Sequence, residues 1–463
     1  MDTSKIIEQE RITRLSLPGI DLKDPISFQN SLSSGVNKLP IPQLYYHQFG
    51  DNIIDWKSIH NYTNTAGSPL LVEAIKIYEK ISASGDNIKD ISSLEHICIT
   101  TGASAAIAFY FRYFALRYPK QDVLLLGHNY YLFYECMVRN KIDYHLLISS
   151  KENRIAPTVD EIISEVNRHS YKLLVLTMPF NPSGEVYTES EMRTLIRALK
   201  DKKIFLLYDK CQMEDFADVF TYVNVNAIAY KENYLKSLII INSFSKTRSL
   251  AGARIGYICA EKEIINFINH ENEYYYFNHP QVYIVPLVLD QMCKSIHLVL
   301  YMQSNMNFRK LIKMYRNAIV LTSGYDYYKE YFKPYFHEST IMETYEKLKT
   351  DITTNYNAIY KNYQYTKQVL GKSLESITEL QGGFNFYIKL KNTSSKDQLN
   401  FCASLSKHIK AIILPESFYN GSKINQSSQP FWLRITCAYD SLVFCPYIDQ
   451  IKQFMSRGET DYE

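Results

Sequence analysis

The middle of the chain alternates short, continuously apolar runs with stretches that repeat apolar residues at helical spacing. Runs that are apolar at every position are typical of strands buried on both faces of a mainly parallel sheet. A buried helix segment can give the same pattern, but seven runs in succession favour strands. Because helical stretches such as 104–118 and 189–202 separate them, the pattern predicts an α/β fold: a mainly parallel central sheet with helices on both faces and ligands at the carboxyl ends of its strands. The predicted strands are 96–100, 122–127, 144–148, 172–177, 203–208, 237–242 and 254–260.

The last third of the chain predicts a smaller α+β C-terminal domain. Strands expected at 384–390, 410–415 and 431–437 are separated by helical segments, and a tyrosine-rich, mostly helical region at about 268–365 precedes them. The predicted parts are an N-terminal arm that belongs to the small domain (1–50), a large domain (51–295), an insertion-like helical region (296–345) and the small C-terminal domain (346–463).

Charge and cysteine usage narrow the class of protein. The 51 basic and 48 acidic residues give a net charge of +3, so we expect no nucleic-acid partner and no attraction to an anionic membrane. The chain begins without an apolar signal region and has no apolar run near the ~20 residues that span a bilayer. Its eight cysteines are scattered without a C-x-x-C pair, which favours a reducing compartment. These features predict a cytoplasmic protein without a membrane segment, and the histidines show no metal-ligand spacing.

Glycine is scarce, at 16 of 463 residues, so its positions carry information. The segment SFSKTRSLAGARIGY, residues 243–257, contains two glycines and lies between two predicted strands. It places Lys246 on a turn, with Ser243 before it and Arg254 after it. Lysine forms Schiff bases, while serine and arginine are good partners for phosphate. A turn of this composition is by itself more often a solvated loop.

Other polar residues follow predicted strands, where a ligand would lie. Gly102 begins a strand–glycine–helix junction whose N–H groups could hold a phosphate, although a plain helix start looks the same. Asp209 ends a buried strand, where a helix N-cap is the alternative to a ligand contact. The sequence N-P-S-G from Asn181 is also an ordinary turn. Arg434 lies within an apolar strand, and a charge there requires a carboxylate partner, either from a ligand or from a structural ion pair.

The lysine segment resembles the cofactor-lysine motif S-x-S-K-x-x-x-x-x-G-x-R-x-G-Y of fold-type I pyridoxal-phosphate (PLP) enzymes. More specifically, the chain resembles the class I/II aminotransferase family, whose pattern can be followed from about residue 40 to 440. The resemblance implies a PLP fold-type I architecture in which the large domain binds PLP. It also implies that Lys246 forms the Schiff base with PLP and moves the proton, and that Ser243 and Arg254 hold the phosphate.

Further motifs of the family occur in the expected order. PFNPSGEVY (179–187) implies that Asn181 contacts the phenolic oxygen of PLP and lines the substrate site, and FLLYDKCQ (205–212) implies that Asp209 pairs with the pyridine nitrogen. NYYLFYECM (129–137) implies that Tyr131 stacks on the pyridine ring, although Asn129 replaces the usual proline. The phosphate-binding turn TTGASAAIAF (100–109) implies backbone and hydroxyl contacts from Gly102, Ala103 and Ser104.

Two residues carry the implications for the partner and the substrate. HNYTNTAGSPLLVEAI (60–75) resembles the stretch whose tyrosine reaches the phosphate of the neighbouring subunit, which implies a homodimer and assigns that role to Tyr62. Arg434 in FWLRITCA would bind the substrate α-carboxylate. A buried tyrosine ahead of a helix is the alternative for Tyr62.

The resemblance implies an aminotransferase that moves an amino group between an amino acid and a 2-oxo acid. The family usually has a tyrosine three residues after the pyridine aspartate, and here that position is Gln212. We therefore expect Gln212 to contact the cofactor as a different hydrogen-bond donor and to alter the titration of the Lys246 Schiff base. Since the fold hosts many reactions, a PLP-dependent lyase, cyclase or oxidase and a non-enzymatic PLP-binding regulator are the alternatives.

Overall fold

The computed structural model describes residues 17–20, 31–45, 64–85, 91, 93–276, 284–301, 306–322, 331–391, 393, 398–420 and 431–456. Within them a seven-stranded sheet has the order β1-β7-β6-β5-β4-β2-β3. Only β7 runs antiparallel to its neighbours, and the other pairs are parallel. All seven predicted strands are confirmed, and the mainly parallel sheet confirms the α/β prediction. The strands are β1 Ile97–Thr101, β2 Asp122–Leu126, β3 Tyr144–Leu147, β4 Tyr171–Thr177, β5 Phe205–Asp209, β6 Leu238–Ser243 and β7 Ile255–Cys259.

The two faces of this sheet explain why the strands are apolar throughout. Successive residues of a strand point to opposite faces. In β2, Leu124 and Leu126 belong to one buried cluster while Val123 and Leu125 belong to another. The same division holds for β4, β5 and β6, because helices cover both faces. A strand with helices on both sides has no position at which a polar side chain reaches water.

Helices occupy most of the remaining described chain. Two of them begin with a capping box, in which Thr158 pairs with Glu161 and Thr188 pairs with Glu191. Each box satisfies N–H groups that the first turn leaves free, and this fixes the start of the predicted helix at 189. The helices are α1 Pro69–Ser84, α2 Gly102–Arg117, α3 Tyr131–Arg139, α4 Val159–Arg168, α5 Glu189–Lys202, α6 Val225–Lys231, α7 Phe244–Thr247, α8 Lys262–Tyr275, α9 Ile284–Tyr301, α10 Phe308–Leu321, α11 Glu338–Leu370, α12 Gln398–Ile409 and α13 Ser441–Ser456.

A four-stranded antiparallel sheet forms the core of the C-terminal region, in the order β10-β11-β9-β8. The prediction for 410–415 was too long, since only Leu414–Pro415 is strand. The N–H of Leu414 is taken by Ser33 Oγ, that of Ile413 by Ser406 Oγ, and proline has no N–H to donate. The strand at 374–377 was not predicted. The four strands are β8 Leu374–Ile377, β9 Asn385–Leu390, β10 Leu414–Pro415 and β11 Trp432–Thr436.

The helix α9 is 18 residues long and apolar enough to cross a membrane by length and composition, but 83% of it is buried inside the fold. It packs against α1. Burial of this extent is typical of a core helix. The helix also runs across the boundary proposed at 295, and the division of the chain into domains stays a prediction.

Candidate active site

Four of the predicted site residues lie at one edge of the central sheet. Gly102 follows β1, Asn181 follows β4 after three residues, Asp209 ends β5 and Ser243 ends β6. These four strands point the same way, so their carboxyl ends open onto one crevice. The side chains that the motifs singled out are therefore brought to the place where an open α/β sheet binds its ligands.

Lys246 lies at this edge in the short helix α7, directly after β6. Its Nζ donates a hydrogen bond to the carbonyl oxygen of Gly35 at 2.7 Å, and its own carbonyl accepts one from Asn37 Nδ2 at 2.9 Å. Burial is the main cause that lowers the pKa of the Lys246 amine to about 8, and the charge of Arg434 lowers it further. The amine therefore loses its proton more readily than an ordinary lysine and is mainly neutral above about pH 8, as a nucleophilic lysine requires.

Asp209 is a buried carboxylate with capacity left for a ligand. Its Oδ1 accepts a hydrogen bond from the N–H of Cys211 at 3.0 Å. Burial raises the pKa of this carboxyl, while the contacts with Cys211 and the charge of Lys246 act in the opposite direction. No lysine, arginine or histidine within the described ranges forms an ion pair with it. A cationic ligand group would supply the missing partner.

The start of α2 and Arg254 place groups that attract an anion side by side. The preceding Thr101 makes no side-chain cap, so the first N–H groups of the helix stay available. Gly102 has φ of +71°, and a Cβ there would lie 2.7 Å from Arg254 Nη2. Arg254 donates to the carbonyls of Ala251 and Thr101 at 3.1 and 3.4 Å. The guanidinium is thus fixed beside the helix N-terminus, where both attract a phosphate.

Other residues assigned to the phosphate lie close by. Ala103 and Ser104 occupy the first turn of α2 and are half-buried. The backbone of Ala103 lies against Gly256, where a Cβ would approach its N atom to 2.7 Å. Ser243 caps α7 by accepting the N–H of Ser245 at 3.2 Å. Position 256 therefore requires glycine, because a side chain there would collide with the backbone at the start of α2.

Asn181 and Tyr131 lie on loops and helix starts at the same edge. Asn181 is half-buried, and its Oδ1 is buried without a hydrogen-bond partner in the part of the chain that the structure covers. An amide with unused capacity suits a polar ligand. Tyr131 is the first residue of α3, 38% exposed, with its ring centroid 4.6 Å from that of Tyr130. The stacking role of Tyr131 stays a prediction.

Arg434 is a buried cation without a protein carboxylate. Its side chain is 6% exposed, its Nη2 donates to Asn385 Oδ1 at 3.2 Å, and the guanidinium lies 4.9 Å from the ring centroid of Tyr419. Among the described residues no aspartate or glutamate pairs with it. This removes support for a structural ion pair and leaves the fork available for a ligand carboxylate.

Gln212 faces the C-terminal sheet, since its Oε1 accepts a hydrogen bond from Asn385 Nδ2 at 3.1 Å. Gly383 lies against the same amide, and a Cβ at Gly383 would lie 2.7 Å from Gln212 Oε1. Asn385 therefore contacts both Gln212 and Arg434. Asn385 was not among the site residues predicted from the sequence.

Gly35 is the second residue that the sequence analysis missed. It accepts the hydrogen bond of Lys246, and a Cβ at this position would lie 1.9 Å from Arg434 Nη2. The neighbouring Ser33 donates to the carbonyl of Arg434 at 2.7 Å. The only sequence signal for Gly35 was the scarcity of glycine. Tyr62 lies outside the described residues.

Comparison with known proteins gives the family. The model of the family "Aminotransferase class I and II" matches residues 29–330. The aspartate aminotransferase of Sulfurisphaera tokodaii is 27% identical over 207 residues, which are 44% of this chain and 48% of that protein. A probable N-acetyl-LL-diaminopimelate aminotransferase of Bacillus subtilis is 31% identical over 219 residues, 47% of this chain and 52% of that protein. The matched segment thus spans about half the length of these curated relatives.

Solved structures extend the likeness in fold to almost the whole chain. An aspartate aminotransferase from Thermotoga maritima has a TM-score of 0.64 at 15% identity and covers 98% of this chain and 97% of its own. An aromatic aminotransferase from Pyrococcus horikoshii has a TM-score of 0.65 at 16% identity, covering 92% and 96%. The family match covers well over half of the chain and includes Lys246, Asp209 and the start of α2 at Gly102. The chain therefore belongs to the class I and II aminotransferase family, whose members are pyridoxal-phosphate enzymes.

Proposed function

We propose that this protein is a PLP-dependent aminotransferase that moves an amino group between an amino acid and a 2-oxo acid. The observation that carries the proposal is the joint position of Lys246 and Arg434. A half-buried lysine whose amine pKa is lowered to about 8 lies beside a buried guanidinium that has no protein carboxylate in the described chain. An amino acid carries an α-carboxylate, which Arg434 can bind, and an α-proton, which Lys246 can remove.

The residues present fit PLP on structural grounds. The uncapped start of α2 and Arg254 suit its phosphate, and the buried carboxylate of Asp209 suits a protonated ring nitrogen. The unpartnered Oδ1 of Asn181 shows that this amide has hydrogen-bonding capacity left for a polar substituent. When bound, PLP supplies the electron sink that stabilises negative charge at the α-carbon of an amino acid.

The protein residues then have separate roles. Arg434 binds the α-carboxylate through its planar fork and so fixes the orientation of the substrate. Lys246 holds or moves the α-proton at its Nζ, which serves as a general base because the amine is neutral above about pH 8. The hydrogen bond from the N–H of Cys211 and the charge of Lys246 favour the charged form of Asp209, against the burial that raises its pKa.

An amino-acid panel tests the activity. The PLP-loaded protein is incubated with each amino acid and with 2-oxoglutarate or pyruvate as acceptor, and both products are quantified. We expect the new amino acid and the new 2-oxo acid in equal amounts for at least one donor. Release of ammonia, or consumption of oxygen, without formation of a second amino acid would contradict transfer and identify one of the alternative reactions.

We also propose that the chain acts as a homodimer in the cytoplasm. An aromatic patch at the end of α8 supports an interface, because Tyr274, Tyr275 and Tyr276 are 76%, 52% and 45% exposed. Seven of the eight cysteines are buried and all are free, which fits a reducing compartment. Light scattering should give about twice the 54.0 kDa of one chain. A mass that stays at one chain would contradict the dimer.

Gly35→Ala is expected to weaken binding of the substrate carboxylate. The added Cβ would lie 1.9 Å from Arg434 Nη2, and φ at this residue is +59°, which favours glycine. Arg434 must move, so we expect KM for the amino acid to rise roughly tenfold or more, the equivalent of about 1.4 kcal/mol. Gly252→Ala is the matched control, because no atom lies within 4 Å of its Cβ. Equal KM values for both variants would contradict this role of Gly35.

The attachment of PLP is expected to depend on pH through the Lys246 amine. The pKa of this group is lowered, so the neutral, reactive form is present above about pH 8 and is lost as pH falls below it. The rate at which the PLP-free protein acquires the visible absorption of bound PLP should therefore rise with pH, with its midpoint near pH 8. Arg434→Gln should move this midpoint to higher pH. A midpoint near the usual value for lysine in the unaltered protein would contradict the burial of the amine.

A further inference from the structure

The carboxamide of Asn385 uses both of its ends inside the site. It is 1% exposed at the start of β9. Its Oδ1 accepts from Arg434 Nη2 at 3.2 Å and from Thr436 Oγ1 at 2.8 Å, while its Nδ2 donates to Gln212 Oε1 at 3.1 Å. Arg434 and Asn385 lie on adjacent strands, β11 and β9, which hold this geometry. The single buried amide of Asn385 thus connects Arg434, the proposed partner of the substrate carboxylate, to Gln212.

The partners determine which end of each amide is which. A guanidinium has donors and no acceptor, so the atom of Asn385 that faces Arg434 must be the oxygen. Its nitrogen then faces Gln212, and the atom of Gln212 that meets a donor must also be an oxygen. The Gln212 Nε2 consequently points away from Asn385, and within the described residues it has no protein acceptor.

We propose that Asn385 is a positioning residue that fixes the orientation of the Gln212 amide, so that Nε2 is presented as a donor to the phenolic oxygen of PLP. This inference rests on the proposed function. Gln212 occupies the position of the usual tyrosine, and a free glutamine amide could present either its oxygen or its nitrogen. Arg434 fixes the orientation of the Asn385 amide, and Asn385 in turn fixes that of Gln212. As a result, the Gln212 Nε2 is directed at the phenolic oxygen.

Asn385→Asp tests the inference because it inverts the second contact. The substituted carboxylate still accepts from Arg434 and Thr436, but it has no donor for Gln212. Gln212 must then turn its Nε2 toward position 385 and its Oε1 toward the phenolic oxygen. That oxygen loses a donor and meets an acceptor, so it holds a shared proton more tightly. We expect the pH midpoint of the visible absorption of the PLP-loaded protein to rise by about one unit or more.

A double-variant cycle separates this route from a direct effect of the new charge. The absorption of PLP-loaded protein is titrated for the unaltered chain, Asn385→Asp, Gln212→Leu and the double variant. If Asn385 acts through Gln212, Asn385→Asp shifts the midpoint in the unaltered background and leaves it nearly unchanged in the Gln212→Leu background.

Each outcome decides. An equal shift in both backgrounds, or no shift in the unaltered one, overturns the role of Asn385 and leaves the proposed function intact. A protein that acquires no visible absorption with PLP in any of the four forms overturns the proposed function and this inference together. The affinity of the PLP-free protein for PLP, measured by quenching of its fluorescence, should stay nearly unchanged in Asn385→Asp. An unchanged affinity shows that the substitution has not disrupted the shape of the site.

Discussion

Replacement of Lys246 by alanine is expected to abolish covalent attachment of PLP and to reduce turnover by roughly 10³-fold or more, the scale of losing a general base and a nucleophile together. Among the described lysines, Lys246 alone combines a position directly after β6, a pKa lowered to about 8 and a contact that holds its Nζ at the site, 2.7 Å from Gly35 O. Lys210 lies near the same strand ends, but its Nζ is committed to the buried Glu79 at 2.6 Å. It is not available as a substitute.

Peptide mass spectrometry after reduction checks the loss of attachment. The protein is treated with PLP and borohydride, which makes the attachment permanent, and the mass of its peptides locates the adduct. It should occur at Lys246 in the unaltered chain and be absent from Lys246→Ala and Lys246→Arg, the second of which keeps the positive charge. Lys202→Ala, at an exposed position, is the control and should retain the adduct. An adduct of undiminished yield in Lys246→Ala would move the chemistry to another residue.

The sequence was informative wherever a site residue is adjacent to a strand. Asp209 and Ser243 are the last residues of β5 and β6, and Gly102 follows β1 directly, so strand prediction alone places them at one edge. The strands themselves were predictable because both of their faces are buried. In all of these cases the position of the site residue follows from the strand next to it in the sequence.

The missed residues depend on contacts between distant parts of the chain. Gly35 meets Lys246 across 211 residues, and Asn385 meets Gln212 across 173 residues. Neither contact leaves a periodic pattern, because a single carbonyl or amide is sufficient to make it. The short strand β10 was mispredicted for a related reason. Side chains of Ser33 and Ser406 take the N–H groups that a longer strand would have used.

A cluster of buried charges lies directly behind the lysine loop. Arg248, two residues after Lys246, is 1% exposed and donates from Nε to both carboxylate oxygens of Asp290 at 3.1 and 3.0 Å. Its Nη1 also contacts Glu214. Tyr45, in the segment that follows Gly35, donates to Asp290 Oδ2 at 3.0 Å. This arginine therefore joins the loop of Lys246 to α9, to the chain after β5 and to the N-terminal segment.

Arg248→Met is expected to lower the free energy of unfolding by about 3–5 kcal/mol, because it leaves two carboxylates buried without a cation. Arg197→Met is the matched control. Arg197 also makes two contacts with one carboxylate, that of Glu232 at 2.9 and 3.0 Å, but its side chain is 62% exposed. Loss of an exposed pair of this kind costs about 1 kcal/mol or less. Urea unfolding followed by circular dichroism measures both.

The double variant Arg248→Met, Asp290→Asn distinguishes the cost of a buried, unpaired carboxylate from the cost of lost packing around Arg248. If the cost arises from a buried carboxylate without a partner, removal of the Asp290 charge should restore part of the stability that Arg248→Met loses. If Arg248 contributes mainly through packing, the second substitution should lower stability further. A loss in Arg248→Met no larger than that in Arg197→Met would show that the cluster does not stabilise the fold. The loop of Lys246 would then be held by Asn37 and Gly35, whose hydrogen bonds of 2.9 and 2.7 Å would be its main attachments to the N-terminal segment.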